Sequence, residues 1–284
     1  MNLLKELTLI IPVKIESFDR YFNVKTVLGF LNHHFSTNII IKEASFDGNS
    51  KLDFLDNFKN LNIRHENCIL SEGTAYHRTK YLNEMLNETK TELVANYDCD
   101  VLLPVDSIVA VYDLLLQTDS DFSYPYQYGY FQKKLHYENW WKKENQDNIR
   151  YDRMLKFNKS FDLKLFDEDP NAEVNTSFFG HCVFAKTKSY KKAYGENEDF
   201  ISYGPEDQER AYRFEKLGYR IYRHNGYVYH IEHSRTSDSG PSNPHFCKNF
   251  ETFNFLKTLS KEDLDSYYMN RSYLKKYESF NQIE

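Results

Sequence analysis

Apolar positions follow two rhythms along the first 120 or so residues. Leu7–Val13 is a continuous, β-branched apolar run and reads as a buried strand. Ser17 stands where it can cap a helix that carries Phe22, Val27, Leu28 and Leu31 on one face. Asn38–Ala44 repeats the strand pattern and stops at the turn-rich Ser45-Phe46-Asp47-Gly48-Asn49-Ser50. Leu52, Leu55 and Phe58 predict a short helix, and Ile63–Glu66 a third strand. Thr74–Asn87 predicts a helix with Tyr81, Leu82, Met85 and Leu86 inward. Glu92–Tyr97 is a fourth strand, ending at Asp98-Cys99-Asp100, and Val105–Leu116 another helix. Such alternation predicts an α/β fold with a mostly parallel central sheet flanked by helices. Ligands of these sheets lie beyond the carboxyl ends of the strands, so polar residues after Val13, Ala44 and Tyr97 are expected to meet in one crevice.

The remainder is less regular. Asp121–Tyr130 reads as a strand and an aromatic loop, and His136–Lys159, with Trp140-Trp141, as an amphipathic helix or a lid. Phe179–Ala185 predicts a strand, Glu206–Leu217 a helix, and Arg220–Arg223 and Val228–Ile231 extended chain. Phe246–Tyr277 predicts two amphipathic helices, so the expected division is one domain over 1–245 and a helical appendage over 246–284. The aromatics and lysines of that appendage suit packing on the larger domain, or docking on a partner subunit or the inner membrane surface.

Charge and cysteine usage narrow the setting. Lys and Arg number 36 against 42 Asp and Glu, a formal charge of −6, which argues against a nucleic-acid ligand. No stretch approaches the roughly 18 apolar residues of a membrane span. The N-terminal MNLLKELTLIIPV is expected to be a first core strand and not a signal peptide. Cys68, Cys99, Cys182 and Cys247 are widely spaced without a CxxC pair, as in a reduced, cytoplasmic protein. The Asn175-Thr176-Ser177 sequon then carries no meaning. Tyr (23) and Phe (22) are abundant and suit stacking on sugars or bases, although ordinary cores also use them.

Three short stretches could carry chemistry. Asp98-Cys99-Asp100 puts two hard oxygen donors where a buried strand emerges, the donor type that favours Mg²⁺ or Mn²⁺. Tyr203-Gly204-Pro205-Glu206-Asp207 breaks the chain and then opens a helix with acids, which serve as dipole partners or as a general base. His230-Ile231-Glu232-His233 places His230 and Glu232 on one face if extended, or His230 and His233 if helical. Cysteine and histidine at structural zinc spacing are absent.

In this order, with Leu9-Ile10-Ile11-Pro12-Val13 opening the first βα unit, these stretches resemble the GT-A fold, nucleotide-sugar-dependent inverting glycosyltransferases. The likeness is to bacterial family-2 and chondroitin-polymerase-type enzymes and the β-1,4-galactosyltransferases, and runs from about Leu7 to Arg235. The resemblance implies that Pro12, Val13 and Lys14 touch the nucleotide, and that Glu43 and Asp47 meet base or ribose. Tyr76-His77-Arg78-Thr79-Lys80-Tyr81-Leu82-Asn83 is similar to the family's aromatic-x-Arg-x-Lys-x-x-Asn helix start, which implies Tyr76 by the base and Arg78 at the phosphates. Phe179-Gly180 matches the turn bordering the sugar pocket. Asp207 falls on the general base, Glu206 on a donor-sugar or acceptor contact and Tyr203 on the stacking aromatic. The implied metal ligands are Asp98, Asp100 and His230, with His233 as the alternative to His230, and Asp98 also faces the donor. Tyr203 replaces the family's Trp, Pro205 its second Gly, and Gly180-His181 its Gly-Gly.

The resemblance implies single displacement with inversion. A Mn²⁺ or Mg²⁺ ion, Arg78 and Lys14 would neutralise the leaving nucleoside diphosphate, UDP for preference, while Asp207 takes the proton of a hydroxyl on a glycan or lipid-linked saccharide. Polysaccharide biosynthesis in the cytoplasm, or at the inner membrane face, is the implied setting. Two alternatives stay open. A sugar-nucleotide nucleotidyltransferase would want a Gly-rich basic loop after the first strand, and Lys14-Ile15-Glu16-Ser17 has no glycine. A non-catalytic carbohydrate-binding scaffold would have no need of both acidic motifs.

Overall fold

The first strand, β1 (Asn2–Lys14), lies at the middle of the molecule, and its stretch from Leu7 to Val13 is buried on both faces. The computed structural model describes residues 1–71, 73–127, 132–135, 148–167, 173–175, 179–236 and 239–281; for 132–135, 148–153, 173–175 and 281 it describes the backbone alone. Trp140-Trp141, and Thr176 and Ser177 of the sequon, lie outside the described residues.

Helix α1 (Phe18–His34) buries Val24, Val27, Leu28 and Leu31, the i, i+3, i+4, i+7 stripe of a core-facing helix. Ser17 does occupy its N-cap position. Its hydroxyl, however, turns to the Asp19 carboxylate and caps no backbone N–H. β2 (Phe35–Ser45) and β3 (Leu61–Ile69) follow, both parallel to their neighbours. The short helix expected between them is only a 3₁₀ turn, Leu55–Asn57, because Leu52 and Phe54 are buried by the turn-rich crossover itself. α2 (Arg78–Glu88) starts four residues later than its pattern suggests, yet buries Tyr81, Leu82, Met85 and Leu86 as expected. Then come β4 (Leu93–Tyr97), the two-residue β5 (Val101–Leu102) and α3 (Val105–Gln117).

β6 (Phe122–Tyr124), β7 (Gln132–Leu135), α4 (Asn148–Ser160), β8 (Glu173–Asn175), β9 (Cys182–Lys186), α5 (Thr187–Lys192), α6 (Glu206–Leu217), β10 (Ile221–Arg223) and β11 (Val228–Ile231) complete the sheets. The main sheet has seven strands in the order β10-β6-β9-β4-β1-β2-β3. β4, β1, β2 and β3 run parallel, whereas β9 is antiparallel to both β4 and β6. A second sheet has the order β5-β11-β7-β8. The mostly parallel α/β architecture is thus the one the hydrophobic pattern predicts.

α7 (Phe246–Thr258) and α8 (Lys261–Met269) bury Phe253, Leu256, Leu264 and Tyr268 in a cluster with Phe200. The Tyr268 hydroxyl donates to Glu209 of α6 at 2.5 Å and accepts from Asn197 at 2.9 Å. The C-terminal helices therefore pack on the rest of the chain. Among the described residues, no helix is long and apolar enough to cross a membrane.

Candidate active site

Three long-range pairings build one crevice at the carboxyl ends of β1 and β4. The antiparallel match of β5 with β11 sets Val101 opposite His230, and the Ile231 amide donates to the Asp100 carbonyl at 2.8 Å. The match of β4 with β9 brings the Gly180-His181 turn to Asp98, whose amide donates to the His181 carbonyl at 2.9 Å. The Ser202 amide donates to the Tyr76 carbonyl at 3.1 Å, which draws the start of α6 toward α2. The half-open crevice has a volume of about 300 Å³, near the lower end of small-molecule sites.

Its floor is a group of donors. One atom each from Asp100, His230 and His233 lie within 4.8 Å of one another, and all three residues are buried. His233 Nε2 is 3.1 Å from Asp100 Oδ2, and His230 Nε2 is 3.7 Å from Oδ1. The far nitrogen of each ring is taken: His230 Nδ1 meets Glu232 at 3.1 Å and His233 Nδ1 meets the Ser234 carbonyl at 2.9 Å. With acceptors at both Nδ1 atoms, each ring can keep a proton there, and an Nε2 that gives up its own proton turns a lone pair toward the space beside the carboxylate. That is a ligand set suited to a divalent cation. Burial would raise the Asp100 carboxyl, but the two imidazoles outweigh it and hold it far below the usual carboxylate range. Burial would also lower His230, and Asp100 with Glu232 instead raises it.

Asp98 stands apart from this group. Its Oδ1 takes Arg78 Nη2 at 2.5 Å, and the donor atoms that cluster among the described residues are those of Asp100, His230 and His233, without Asp98. Burial raises the Asp98 carboxyl; Arg78 opposes this and Asp100 adds to it.

The opposite wall is the mouth of α6. Asp207 Oδ1 accepts from Arg210 Nη2 at 2.8 Å and lies 3.6 Å from Arg78 Nη1. Arg210 is itself locked against Glu196 at 3.0 Å and the Phe179 carbonyl at 3.1 Å. A Cβ on Gly180 would come within 3.1 Å of Asp207 Oδ2, so a larger residue there would press on that carboxylate. Burial pushes Asp207 up, but Arg210 and Arg78 prevail and hold it below its ordinary value. Glu206 behaves in the opposite sense. Burial, then the neighbouring Asp207 charge, pushes it up to about 8, and its Oε2 is buried with no partner among the described residues. At neutral pH the pair thus holds one proton, on Glu206, and one negative charge, on Asp207.

Pro12, Lys14, Tyr76, Arg78, Asp98, Gly180 and Tyr203 all border the crevice, and Tyr203 keeps 39% of its surface exposed. Val13 and Glu43 do not. They are register partners in β1 and β2, one residue out of phase with Pro12 and Lys14, and so share the opposite sheet face. The Glu43 carboxylate is saturated there by Ser50 Oγ (2.6 Å), the Lys51 amide (2.9 Å) and His65 (3.0 Å). Asp47 also lies outside the crevice, in an exposed turn where it accepts from the Asn49 amide at 3.1 Å.

Two further residues enter that the motifs do not mark. His181, at φ 71°, lies beside His230 with ring centroids 5.4 Å apart, and burial followed by the His230 charge pushes it down to about 3. Arg20, in the first turn of α1, borders the crevice with its guanidinium in no ion pair among the described residues and Nε buried without a partner. Lys14 pairs with Glu16 at 2.8 Å and Arg78 with Asp98, whereas Arg20, like Arg235 at the same crevice, is in no ion pair among the described residues. A cation one helical turn after the first strand was a readable signal for it.

Residues 169–234 match the family model described as the N-terminal domain of galactosyltransferase, under a quarter of the chain. Comparison with curated protein sequences gives no match. Among solved structures, the catalytic domain of Drosophila β1,4-galactosyltransferase 7 with xylobiose is similar at 14% identity and TM-score 0.41, covering 82% of this chain and 72% of that one. A mutant of that enzyme in complex with manganese, UDP-Gal and xylobiose is similar at 14% identity and TM-score 0.44, with the same coverage. A mannosyltransferase from Pyrobaculum calidifontis, with GDP-Man and Mn²⁺, has 14% identity and TM-score 0.43, covering 80% of this chain and 56% of that one. All of these likenesses are to glycosyltransferases. The matched segment holds β9, α6 and β11, and with them Gly180, Tyr203, Glu206, Asp207, His230 and His233.

Proposed function

We propose that the protein is a metal-dependent inverting glycosyltransferase that moves a sugar from a nucleotide-sugar donor, a UDP-sugar, to a hydroxyl of a glycan or lipid-linked acceptor. The observation that carries this reading is the meeting, across one crevice, of the Asp100, His230 and His233 donor group with the split Glu206–Asp207 pair. Asp100, His230 and His233 would hold Mn²⁺ or Mg²⁺, which supplies charge neutralisation for a departing diphosphate. Arg20, at the crevice edge, and Lys14 bring further positive charge to the same oxygens. Tyr76 borders the same crevice as Pro12 and Lys14, where an aromatic face suits the base.

Asp207 is the proton acceptor. Its two guanidinium partners keep it ionised but make it a weak base, so the proton leaves the acceptor hydroxyl late, as the bond to the leaving diphosphate breaks. The same partners fix its orientation. Neutral Glu206 offers a hydrogen-bond donor to a sugar hydroxyl. The four unpaired cysteines support a reducing, cytoplasmic setting. The inner-membrane contact of the appendage is the weaker reading, since its buried apolar residues are spent on packing.

The test is turnover of UDP-galactose, UDP-glucose and their N-acetyl forms, with water or saccharides as acceptor. Turnover that needs Mn²⁺, stops in EDTA and returns on readdition is the expected result. Undiminished turnover in EDTA contradicts the metal assignment.

A further inference from the structure

The acceptor platform is held from outside the region that resembles glycosyltransferases. Asn249 of α7 is buried, and its Nδ2 donates to the Ile201 carbonyl at 2.8 Å and the Tyr203 carbonyl at 3.2 Å. Asn243, also buried, donates to the same Tyr203 carbonyl at 2.7 Å. The two-carbonyl contact fixes the amide orientation of Asn249, since a flip would set oxygen against oxygen. Gly204 packs directly on this side chain; a Cβ there would sit 2.7 Å from Nδ2. Phe246 lies nearly parallel to the Tyr203 ring, with centroids 6.0 Å apart and planes 5° from parallel. Between these supports Ser202 has φ 60°, a backbone state that a serine adopts only when its surroundings impose it.

We propose that Asn249, aided by Asn243 and Phe246, is a positioning residue for saccharide acceptors: it fixes the Tyr203 loop, so that the start of α7 is part of the acceptor site. The proposal rests on the glycosyltransferase reading for its acceptor chemistry, and on geometry alone for the clamp. It also moves the functional boundary. A catalytic unit ending at residue 245 would lack Phe246 and Asn249 and leave Tyr203 unsupported. The hydrogen bonds and ion pairs described for Asp100, His230 and His233 run to one another, Glu232 and Ser234 and not to α7, so the metal side should not sense the change.

Two variants separate these effects. Asn249→Asp keeps the shape beside Gly204 but removes both donors; Phe246→Leu keeps an apolar side chain but removes the stacked ring. The first readout is ¹⁹F NMR of protein labelled with 3-fluorotyrosine, the Tyr203 line being assigned by its loss in Tyr203→Phe. One narrow Tyr203 line is expected in the wild type, and a shifted, split or broadened line in each variant, while UDP–Mn²⁺ affinity stays within twofold. An unmoved Tyr203 line in Phe246→Leu, and in Asn249→Asp if it folds, overturns the clamp whether or not sugar transfer is found. The second readout is transfer from UDP-galactose to xylobiose, lactose and cellobiose. For any disaccharide the wild type uses, an acceptor KM at least tenfold higher with kcat within threefold is expected. A fall in kcat at unchanged acceptor KM overturns the positioning role. Absence of transfer by the wild type counts against the enzymatic reading alone, and the NMR result still decides the clamp.

Discussion

On the strand-end wall of the crevice, Asp100 faces two imidazoles whose outer nitrogens are already occupied; on the helix-mouth wall, Asp207 lies against two guanidiniums, while its neighbour Glu206 makes no ion pair among the described residues. Both carboxylates are held ionised, by different means and toward different ends. Imidazole nitrogens can give their lone pairs to a cation, so the first wall can exchange a proton-sharing network for a metal ion. Guanidiniums have no lone pair to give and stay charged, so the second wall keeps its carboxylate as a fixed, oriented anion. Between adjacent residues of one helix turn, one carboxyl is pushed toward its neutral form and the other is held charged.

The largest effect expected from disturbing this contrast is at Asp100. Asp100→Ala removes the only carboxylate of the donor group and should abolish Mn²⁺-dependent turnover by orders of magnitude. Near-normal turnover in that variant would erase the distinction between the walls. Next comes Asp207→Asn, which keeps size and hydrogen bonding but cannot take a proton. A rate loss of about 10²–10⁴-fold is expected, the usual contribution of a general base, with UDP–Mn²⁺ binding retained. If Glu206→Gln were inactive and Asp207→Asn fully active, the two roles would be reversed.

Arg20→Ala should weaken UDP binding by roughly 10–100-fold, since hydrogen bonds to charged groups contribute about 1.5–3 kcal/mol. Calorimetry with UDP and Mn²⁺ checks this, and unchanged affinity would remove Arg20 from the phosphate site. The last effect is on stability and not on turnover. Glu206 is raised from 4.5 to about 8, so the folded chain keeps a proton that the unfolded chain has lost over that range. Wild-type stability is therefore drained as pH rises from about 4.5 to about 8. Glu206→Gln removes this dependence, and its Tm relative to wild type should climb across the same window. Parallel Tm curves for the two proteins would show that Glu206 is not held neutral.

The parts of the molecule that were legible in the sequence are those governed by local rhythm. The stripe of α1 and the strand that delivers Asp98 and Asp100 follow from residue spacing within one segment. Glu43 was misplaced because a strand's faces alternate at every residue, and an acidic side chain after an apolar run does not tell which face it takes. His233 reaches Asp100 through the β5–β11 pairing, which joins Val101 to His230, 230 − 101 = 129 positions apart, while Arg78 takes Asp98. Arg210, which fixes Asp207, sits one turn further along the same helix, where an arginine reads as an ordinary surface residue until its burial is known. The support of Tyr203 by Asn249 likewise depends on a tertiary contact with no local signature.

The most direct test of the account is the binding of Mn²⁺ alone to the full chain, titrated by calorimetry or by loss of the free-ion EPR signal, in the wild type, His233→Ala and Asp98→Asn. Binding that is lost in His233→Ala and kept in Asp98→Asn is the predicted result, because the proposed ion site is Asp100, His230 and His233, while Asp98 is paired with Arg78. Loss in Asp98→Asn with undiminished binding in His233→Ala would contradict it.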